Sequence, residues 1–363
     1  MAFAANALYL ISIFSFSPMP SDQLFMQRAL DLALLGATTT RPNPMVGCVI
    51  VHKGRIIGEG FTSPFGGPHA EVNAINAVAD KSLLPEATVY VTLEPCAHFG
   101  KTPPCADLLI KHSVKRVVIC NPDPNPQVNG GGIQKLQEAK TEVTEGILAE
   151  KGRFINRRFF AFQEKQRPYI LLKWAQTADG FIARSDFSSK WISGDLSRRL
   201  VHKWRTEEQA ILVGTGTALH DNPHLTVRDF SGPNPLRIII DRKLRLPNEL
   251  RVLDASQPTL VYNQKQASEK ENLEFIKLDA GDNEFMQAVL QDLYQRQVQS
   301  VLVEGGSSII NCLLSQNLWD EARVFIGPGK FKTGVAAPAM PLHHLRETQQ
   351  IAEDKLHLFF NEN

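Results

Sequence analysis

The chain lacks net charge, lacks the cysteine content of a disulfide framework and, past its opening stretch, lacks any run apolar enough to cross a membrane. Lys and Arg total 39 against 38 Asp and Glu, a balance of +1. So even a surface has no broad attraction for nucleic acid or an acidic membrane, which leaves small molecules as the expected partners. Five cysteines are a sparse and odd number, which argues against disulfides and for a reducing, cytoplasmic location. No Gly-x-Gly-x-x-Gly occupies the glycine-rich strand ends of the second half, so a Rossmann domain is not expected. No internal repeat or low-complexity tract is present. The apolar opening stretch, residues 1–20, has neither the Lys or Arg of a signal-peptide start nor the Arg-rich amphipathy of a transit peptide. It reads as a non-essential extension, with Met19 as the working start; a plastid location is expected only if residues 1–20 belong to a targeting segment.

What is there suffices for two domains. A length of 363 residues at 43% hydrophobic content exceeds one ordinary domain and fills two cores. In the first half, helix and strand alternate. Ser21 and Asp22 can cap a helix, and 46–51 is a continuous apolar run that reads as a buried strand. Lys53-Gly54 makes a turn. Pro68 suits the first turn of a helix bearing His69 and Glu71, with Val72, Ile75 and Val78 inward. Strands follow at 88–93 and 114–120, with a helix opened by Cys105 between them. Cys48, Cys120 and Cys312 read as core residues. Residues 146–167 turn charged and helical, which places the junction there. Beyond Pro168, strands are predicted at 169–174, 210–213, 236–241, 259–262, 275–278 and 300–304, and helices at 195–204, 285–296 and 307–314. Alternation of this kind predicts layered α/β domains with sites beyond the strands' carboxyl ends. The expected division is 1–20 extension, 21–150 first domain, 151–167 junction and 168–363 second domain.

His69-Ala70-Glu71, then Pro95-Cys96 and Pro104-Cys105, carry the chemistry. One imidazole and two thiolates make three ligands, and an open fourth position is the mark of a catalytic rather than a structural zinc. Zinc lowers the pKa of a bound water toward neutrality, and a carboxylate two residues from the histidine can shuttle protons. This is the equipment for hydrolytic deamination of an amino-substituted ring. A solvated His–Glu pair, a structural metal, a non-catalytic zinc scaffold and a nucleic-acid base deaminase with an accessory domain are the competing readings.

The spacing narrows these. Common base deaminases carry Pro-Cys-x-x-Cys, whereas here Ala-His-Phe-Gly-Lys-Thr-Pro-Pro separates the two cysteines. With Arg41-Pro42-Asn43-Pro44, Asp123-Pro124-Asn125-Pro126 and Asn156-Arg157-Arg158-Phe159-Phe160, this insert resembles the bifunctional riboflavin-biosynthesis deaminase–reductase family. The resemblance implies a cytidine-deaminase-like three-layer α/β/α domain followed by a dihydrofolate-reductase-like α/β domain. It implies zinc on His69, Cys96 and Cys105, Glu71 as general acid/base, and Asn43, His98 and Lys101 near a pyrimidine ribosylamine phosphate. His98 as a fourth ligand would close the site. Residues 123–132 match a loop that closes over the ribose phosphate. Its Val-Asn-Gly-Gly-Gly departs from the family pattern, a change expected to alter flexibility more than chemistry.

In the second half, two glycine-rich strand exits, Val213-Gly214-Thr215-Gly216-Thr217 and Val303-Glu304-Gly305-Gly306-Ser307, suggest a dinucleotide site because backbone amides at helix starts bind phosphate. The resemblance implies NADPH against Ala175, Trp191, Thr217, Asp221, Gly306 and Ser307. It places substrate against Ser189, Arg205, Leu225, Arg228 and Glu304, with surface salt bridges as the plain alternative for the two arginines. Trp174 and Phe181 stand where the family pattern has varied or smaller residues. The expected activities are deamination of the ring followed by reduction of the ribosyl group to ribityl, by a homo-oligomer that binds neither nucleic acid nor membrane. A silent second domain is the remaining alternative.

Overall fold

The structure is a computed structural model, and it describes residues 21–361 except 98, 100–102, 126–127 and 189–191. In the first half, helix α1 (Ser21–Ala33) is followed by the hairpin β1 (Gly47–His52) and β2 (Arg55–Phe61), then by α2 (Ala70–Ala77), β3 (Thr88–Leu93), α3 (Cys105–Lys111), β4 (Arg116–Asn121), α4 (Gly131–Glu138) and β5 (Glu142–Glu145). The five strands lie in the order β2-β1-β3-β4-β5. β1 is antiparallel to both its neighbours, while β3, β4 and β5 run parallel. β1, β3 and β4 are buried on both faces, which is why each reads as an unbroken apolar run. Ala74, Ile75, Leu109 and Leu136 pack on one face of the sheet. Met26, Leu30 and Tyr90 pack on the other, giving three layers.

Two short helices, α5 (Ala149–Ile155) and α6 (Arg157–Lys165), lead to the second sheet. There β6 (Tyr169–Thr177), β7 (Phe181–Ala183), α7 (Asp195–Glu207), β8 (Ala210–Gly214), α8 (Thr215–Asp221), β9 (Leu236–Ile240), β10 (Thr259–Asn263), β11 (Ser268–Lys270) and β12 (Leu273–Lys277) come first. They are followed by α9 (Phe285–Gln295), β13 (Ser300–Val303), α10 (Ser307–Ser315), β14 (Glu321–Gly327), β15 (Val335–Ala336), β16 (Leu345–Ile351) and β17 (Asp354–Phe360). Ten strands form one sheet in the order β11-β12-β10-β9-β8-β13-β6-β14-β17-β16, with β15 and β7 paired separately. From β12 to β14 the pairing is parallel, and both edges end antiparallel. Among the described residues no helix is long and apolar enough to cross a membrane.

Several expectations shift. His69 is not in a helix: it is the residue before α2, with extended backbone (φ −73°, ψ 166°), and Pro68 lies outside as well. The helix therefore starts two residues later, at Ala70, and Val72 is only half-buried while Ala70, Ala74 and Ile75 face the core. Cys48 and Cys120 are fully buried as expected, but Cys312 is half-buried, on a side of α10 that only skirts the core. Trp174 is 5% exposed and donates from Nε1 to Gln176 Oε1, so the large side chain is absorbed by the core. Phe181 is half-buried on β7.

Candidate active sites

His69, Cys96 and Cys105 come from three separate connections. His69 enters α2, Cys96 lies three residues past β3, and Cys105 starts α3. Their donor atoms all lie within 4.8 Å of one another. His69 Nδ1 is 3.7 Å from Cys96 Sγ and 3.4 Å from Cys105 Sγ. Bond lengths of about 2.3 Å to sulfur and 2.0 Å to nitrogen put the N–S edge of a tetrahedral zinc site at roughly 3.6 Å. The donor set and both N–S distances fit zinc. The Cys105 backbone N–H donates to Cys96 Sγ at 3.3 Å. Hydrogen bonding from the Cys105 thiol, with His69 beside it, holds Cys96 well below the usual thiol range, and the same shared proton pushes Cys105 up.

Glu71 is 4% exposed, one residue into α2. Burial, followed by the charge on Cys96, raises its carboxyl to about 7. A cavity of about 370 Å³ opens in front of this group, and Asn43, His69, Glu71 and Cys96 line it. Asp123, Asn125 and Val128 line it from the loop read as a lid. His98 and Lys101 lie outside the described residues.

Two sets of lining residues were not singled out from the sequence. Glu94 is 4% exposed between β3 and Cys96. Its carboxylate accepts the backbone N–H groups of Asp123, Gly130, Gly132 and Ile133 at 2.9–3.2 Å. It thus staples the lid loop to the thiolate loop. Gly132 serves close approach: a Cβ there would lie 1.9 Å from the Pro95 carbonyl oxygen, whereas one on Gly130 would meet nothing within 4 Å. Only the Leu-Glu-Pro-Cys run, with an acid between a buried strand and a ligand, could have flagged Glu94. The second set is Gln163, from α6, and Gln297 and Gln299, from the connection into β13 of the second sheet. No local signal marks them.

In the second half the two glycine-rich exits converge. Gly306 opens α10 with φ 61°, a left-handed conformation suited to glycine, and a Cβ there would lie 3.5 Å from Thr217 Oγ1. Gly305 sits against β8, where a Cβ would meet Val213 Cα at 2.7 Å. Two helix starts without a side-chain cap therefore sit side by side, an arrangement that fits a dinucleotide phosphate. Ala175 and Ser307 are half-buried and Asp221 is exposed at the end of α8. Ser189 and Trp191 lie outside the described residues.

Arg205 and Glu304 form a buried pair, not a surface one: Nε and Nη2 donate to the two carboxylate oxygens at 2.7 and 3.0 Å, and Nη1 donates to the Thr226 carbonyl at 2.8 Å. Lys173 Nζ is 3.5 Å from the same carboxylate. Burial opposes ionisation of Glu304, but Arg205 and Lys173 outweigh it and bring the group to about 2. Leu225 is buried with φ 57°, and Arg228 is exposed, its backbone N–H donating to His202 Nδ1 at 3.2 Å. Lys173 and His202 join this cluster although neither stood out in the sequence.

Comparison with known proteins follows the same division. Residues 19–121 match the family described as the cytidine and deoxycytidylate deaminase zinc-binding region. Residues 168–338 match the RibD C-terminal domain. The chain is 39% identical over 341 residues to the riboflavin biosynthesis protein RibD of Aquifex aeolicus, spanning 92% of this chain and 95% of that one. It is 38% identical over 323 residues to the Escherichia coli protein of the same name, spanning 85% and 88%. Its structure is similar to that of a diaminohydroxyphosphoribosylaminopyrimidine deaminase/5-amino-6-(5-phosphoribosylamino)uracil reductase from Thermotoga maritima, with 38% identity, TM-score 0.85, and 94% and 98% of the two chains covered. The halves are a cytidine-deaminase-like domain and a dihydrofolate-reductase-like domain, as expected. With the zinc-type donor set on one match, the paired glycine turns on the other and identity sustained along nearly the whole length, the chain belongs to the RibD family of riboflavin-biosynthesis proteins.

Proposed function

We propose that the chain deaminates a diaminopyrimidinone ribosylamine phosphate in its first half and reduces the ribosyl group of the product to ribityl in its second. The protein is a bifunctional zinc-dependent deaminase and NADPH-dependent reductase. The observation that carries the assignment of roles is the convergence of three donor atoms within 4.8 Å, beside a buried carboxylate, in front of a cavity.

His69 Nδ1, Cys96 Sγ and Cys105 Sγ would hold zinc, which activates a water as the nucleophile. The Glu71 carboxylate takes the proton of the attacking water and returns it to the leaving amine. Asn43 orients the ring, His98 and Lys101 contact the substrate, and residues 123–132 shield the cavity from bulk water. In the second half, Thr217, Asp221, Gly306 and Ser307 bind NADPH together with Ala175 and Trp191, and NADPH supplies the hydride. Arg228 and Arg205 face the sugar phosphate, with Ser189 and Leu225 completing the pocket. Glu304 holds Arg205 in place; kept ionised by Arg205 and Lys173, it has no proton to give, so of the two candidate proton donors, Asp221 and Glu304, Asp221 remains.

The working division remains residues 21–150, 151–167 and 168–363. The protein acts on a small molecule, as a cytoplasmic homo-oligomer; the plastid alternative is not borne out, the matched relatives being bacterial. The test is incubation of the purified chain with the pyrimidine phosphate and NADPH, following ammonia and NADPH oxidation separately. Ammonia release without NADPH oxidation would leave the second half silent. Salt-dependent deamination of RNA or single-stranded DNA instead would replace the substrate assignment.

A further inference from the structure

The segment that carries Asn43 into the deaminase cavity is held largely by residues from elsewhere in the chain. Gln299 Nε2, from the second sheet, donates to the Pro42 carbonyl oxygen at 2.7 Å. Arg41 Nη2 donates to the Thr206 carbonyl oxygen near the end of α7 at 2.7 Å. Asn156, between α5 and α6, accepts the Met45 N–H at 2.9 Å and donates to the Met45 carbonyl at 2.8 Å. From its own half the segment receives a backbone turn, the Asn43 N–H on the Thr40 carbonyl at 2.9 Å.

Gln299 is itself fixed. It is 6% exposed, its N–H donates to Gln209 Oε1 at 2.9 Å and its carbonyl accepts the Tyr169 N–H at 2.8 Å. With the backbone tied into β6 on one side and to Gln209 on the other, the side-chain amide has one direction left, toward Pro42 and the cavity that Gln299 lines. Gln299 lies immediately before β13 and Glu304 immediately after it, a span of roughly 16 Å at about 3.3 Å per residue, so one strand presents its amino end to the deaminase cavity and its carboxyl end to the reductase cluster.

We propose that Gln299, a residue of the reductase half, is a positioning residue for deamination: it sets the Pro42–Asn43 backbone so that the Asn43 side chain meets the substrate ring. The deaminase cavity is therefore complete only when the second sheet is seated against it. This rests on the role given to Asn43 under the proposed function, and the experiment separates the two.

Gln299→Met keeps the volume and unbranched shape of the side chain and removes the donor. Arg41→Met loosens the same segment from the other side of the contact. Each full-length variant is assayed for ammonia release from the pyrimidine phosphate, for NADPH oxidation with the deaminated substrate, and for bound zinc, with Asn43→Ala as the reference. The expected result for both is a fall of roughly tenfold in deaminase kcat/KM, the worth of one well-placed hydrogen bond, carried mainly by KM. Zinc content and reductase kinetics stay at the level of the unaltered protein. Deaminase kinetics within twofold of the unaltered protein, or a parallel fall of both activities, would overturn the inference. If Asn43→Ala is impaired while Gln299→Met and Arg41→Met are not, only this inference fails. If Asn43→Ala deaminates normally, the role of Asn43 fails and takes the inference with it.

Discussion

The two halves build their sites in opposite ways. The deaminase site gathers side chains around one point: three ligand atoms within 4.8 Å and a buried glutamate beside them. The proposed reductase site is spread along the second sheet, from Ala175 to Ser307, and its proposed phosphate-binding part is backbone at two glycine turns. A metal demands a few fixed donors and tolerates no substitute for them. A dinucleotide is held by many weak contacts, most of which any residue's backbone can provide. The first kind of site concentrates its energetics in single residues, and the second distributes them.

The largest break in that contrast is expected at Glu71. Glu71→Gln should keep zinc and lose about 10² to 10⁴ in deamination rate, the range for a general acid/base, while NADPH oxidation with the deaminated substrate is unchanged. Metal analysis alongside the two assays checks it. Deamination persisting at normal rate would remove Glu71 from the mechanism.

Next in size is Glu304→Gln in the other half. It leaves Arg205 buried with its main partner gone, and breaking such a pair costs roughly 3–5 kcal/mol. Chemical denaturation should show the loss, with reductase activity falling and deamination retained. Equal loss of both activities would mean that the pair supports the whole molecule rather than the reductase site.

A third test uses pH. Burial opposes ionisation of Glu321, but Arg323, Arg157 and Arg158 outweigh it, bringing it to about 2, as Arg205 and Lys173 do for Glu304. An unfolded glutamate titrates near 4.3. The folded values are lower, so these groups contribute stability that is complete above about pH 5 and is lost as pH falls from there toward 2. Urea midpoints measured from pH 6 to 2.5 should decline over that window. Replacing Glu321 with Gln should flatten the decline, and an unchanged slope would count against the ion pairs as its source.

The break most confined to the loops is expected at Glu94→Ala. It strips an acceptor from four backbone N–H groups. Each one left unpaired costs roughly 1–3 kcal/mol if it stays buried and less if water reaches it. The signature is faster amide exchange across residues 123–133 with zinc retained. Exchange unchanged there would refute the staple.

Legibility followed the physics of each element. β1, β3, β4, β6, β8 and β13 were readable because burial on both faces leaves a continuous apolar run. β14 was missed: Glu321-Ala-Arg-Val-Phe-Ile-Gly reads as mixed, because Glu321 and Arg323 are buried as an ion pair at 2.6 Å. β16 and β17 escape the pattern as an antiparallel edge hairpin in which few side chains are fully buried, β16 having none. The junction helices were legible as a charged stretch, but not the ion pair of Arg158 with Glu208 that ties them to the second sheet.

The sequence by itself pointed to the metal chemistry, since His-x-Glu and two Pro-Cys units, with the insert between the cysteines, name a zinc-type donor set, and it determined the alternation of strands and helices that implies two layered domains. Only the tertiary structure decided that Arg205 answers Glu304 across 99 positions and that Glu94 ties down the lid. It also decided that Gln299 from the second sheet reaches the loop of the first site. Side-chain periodicity reports which face a residue turns to its own core. A hydrogen bond between distant segments leaves no such periodic trace, because it depends on where two independently formed elements come to rest.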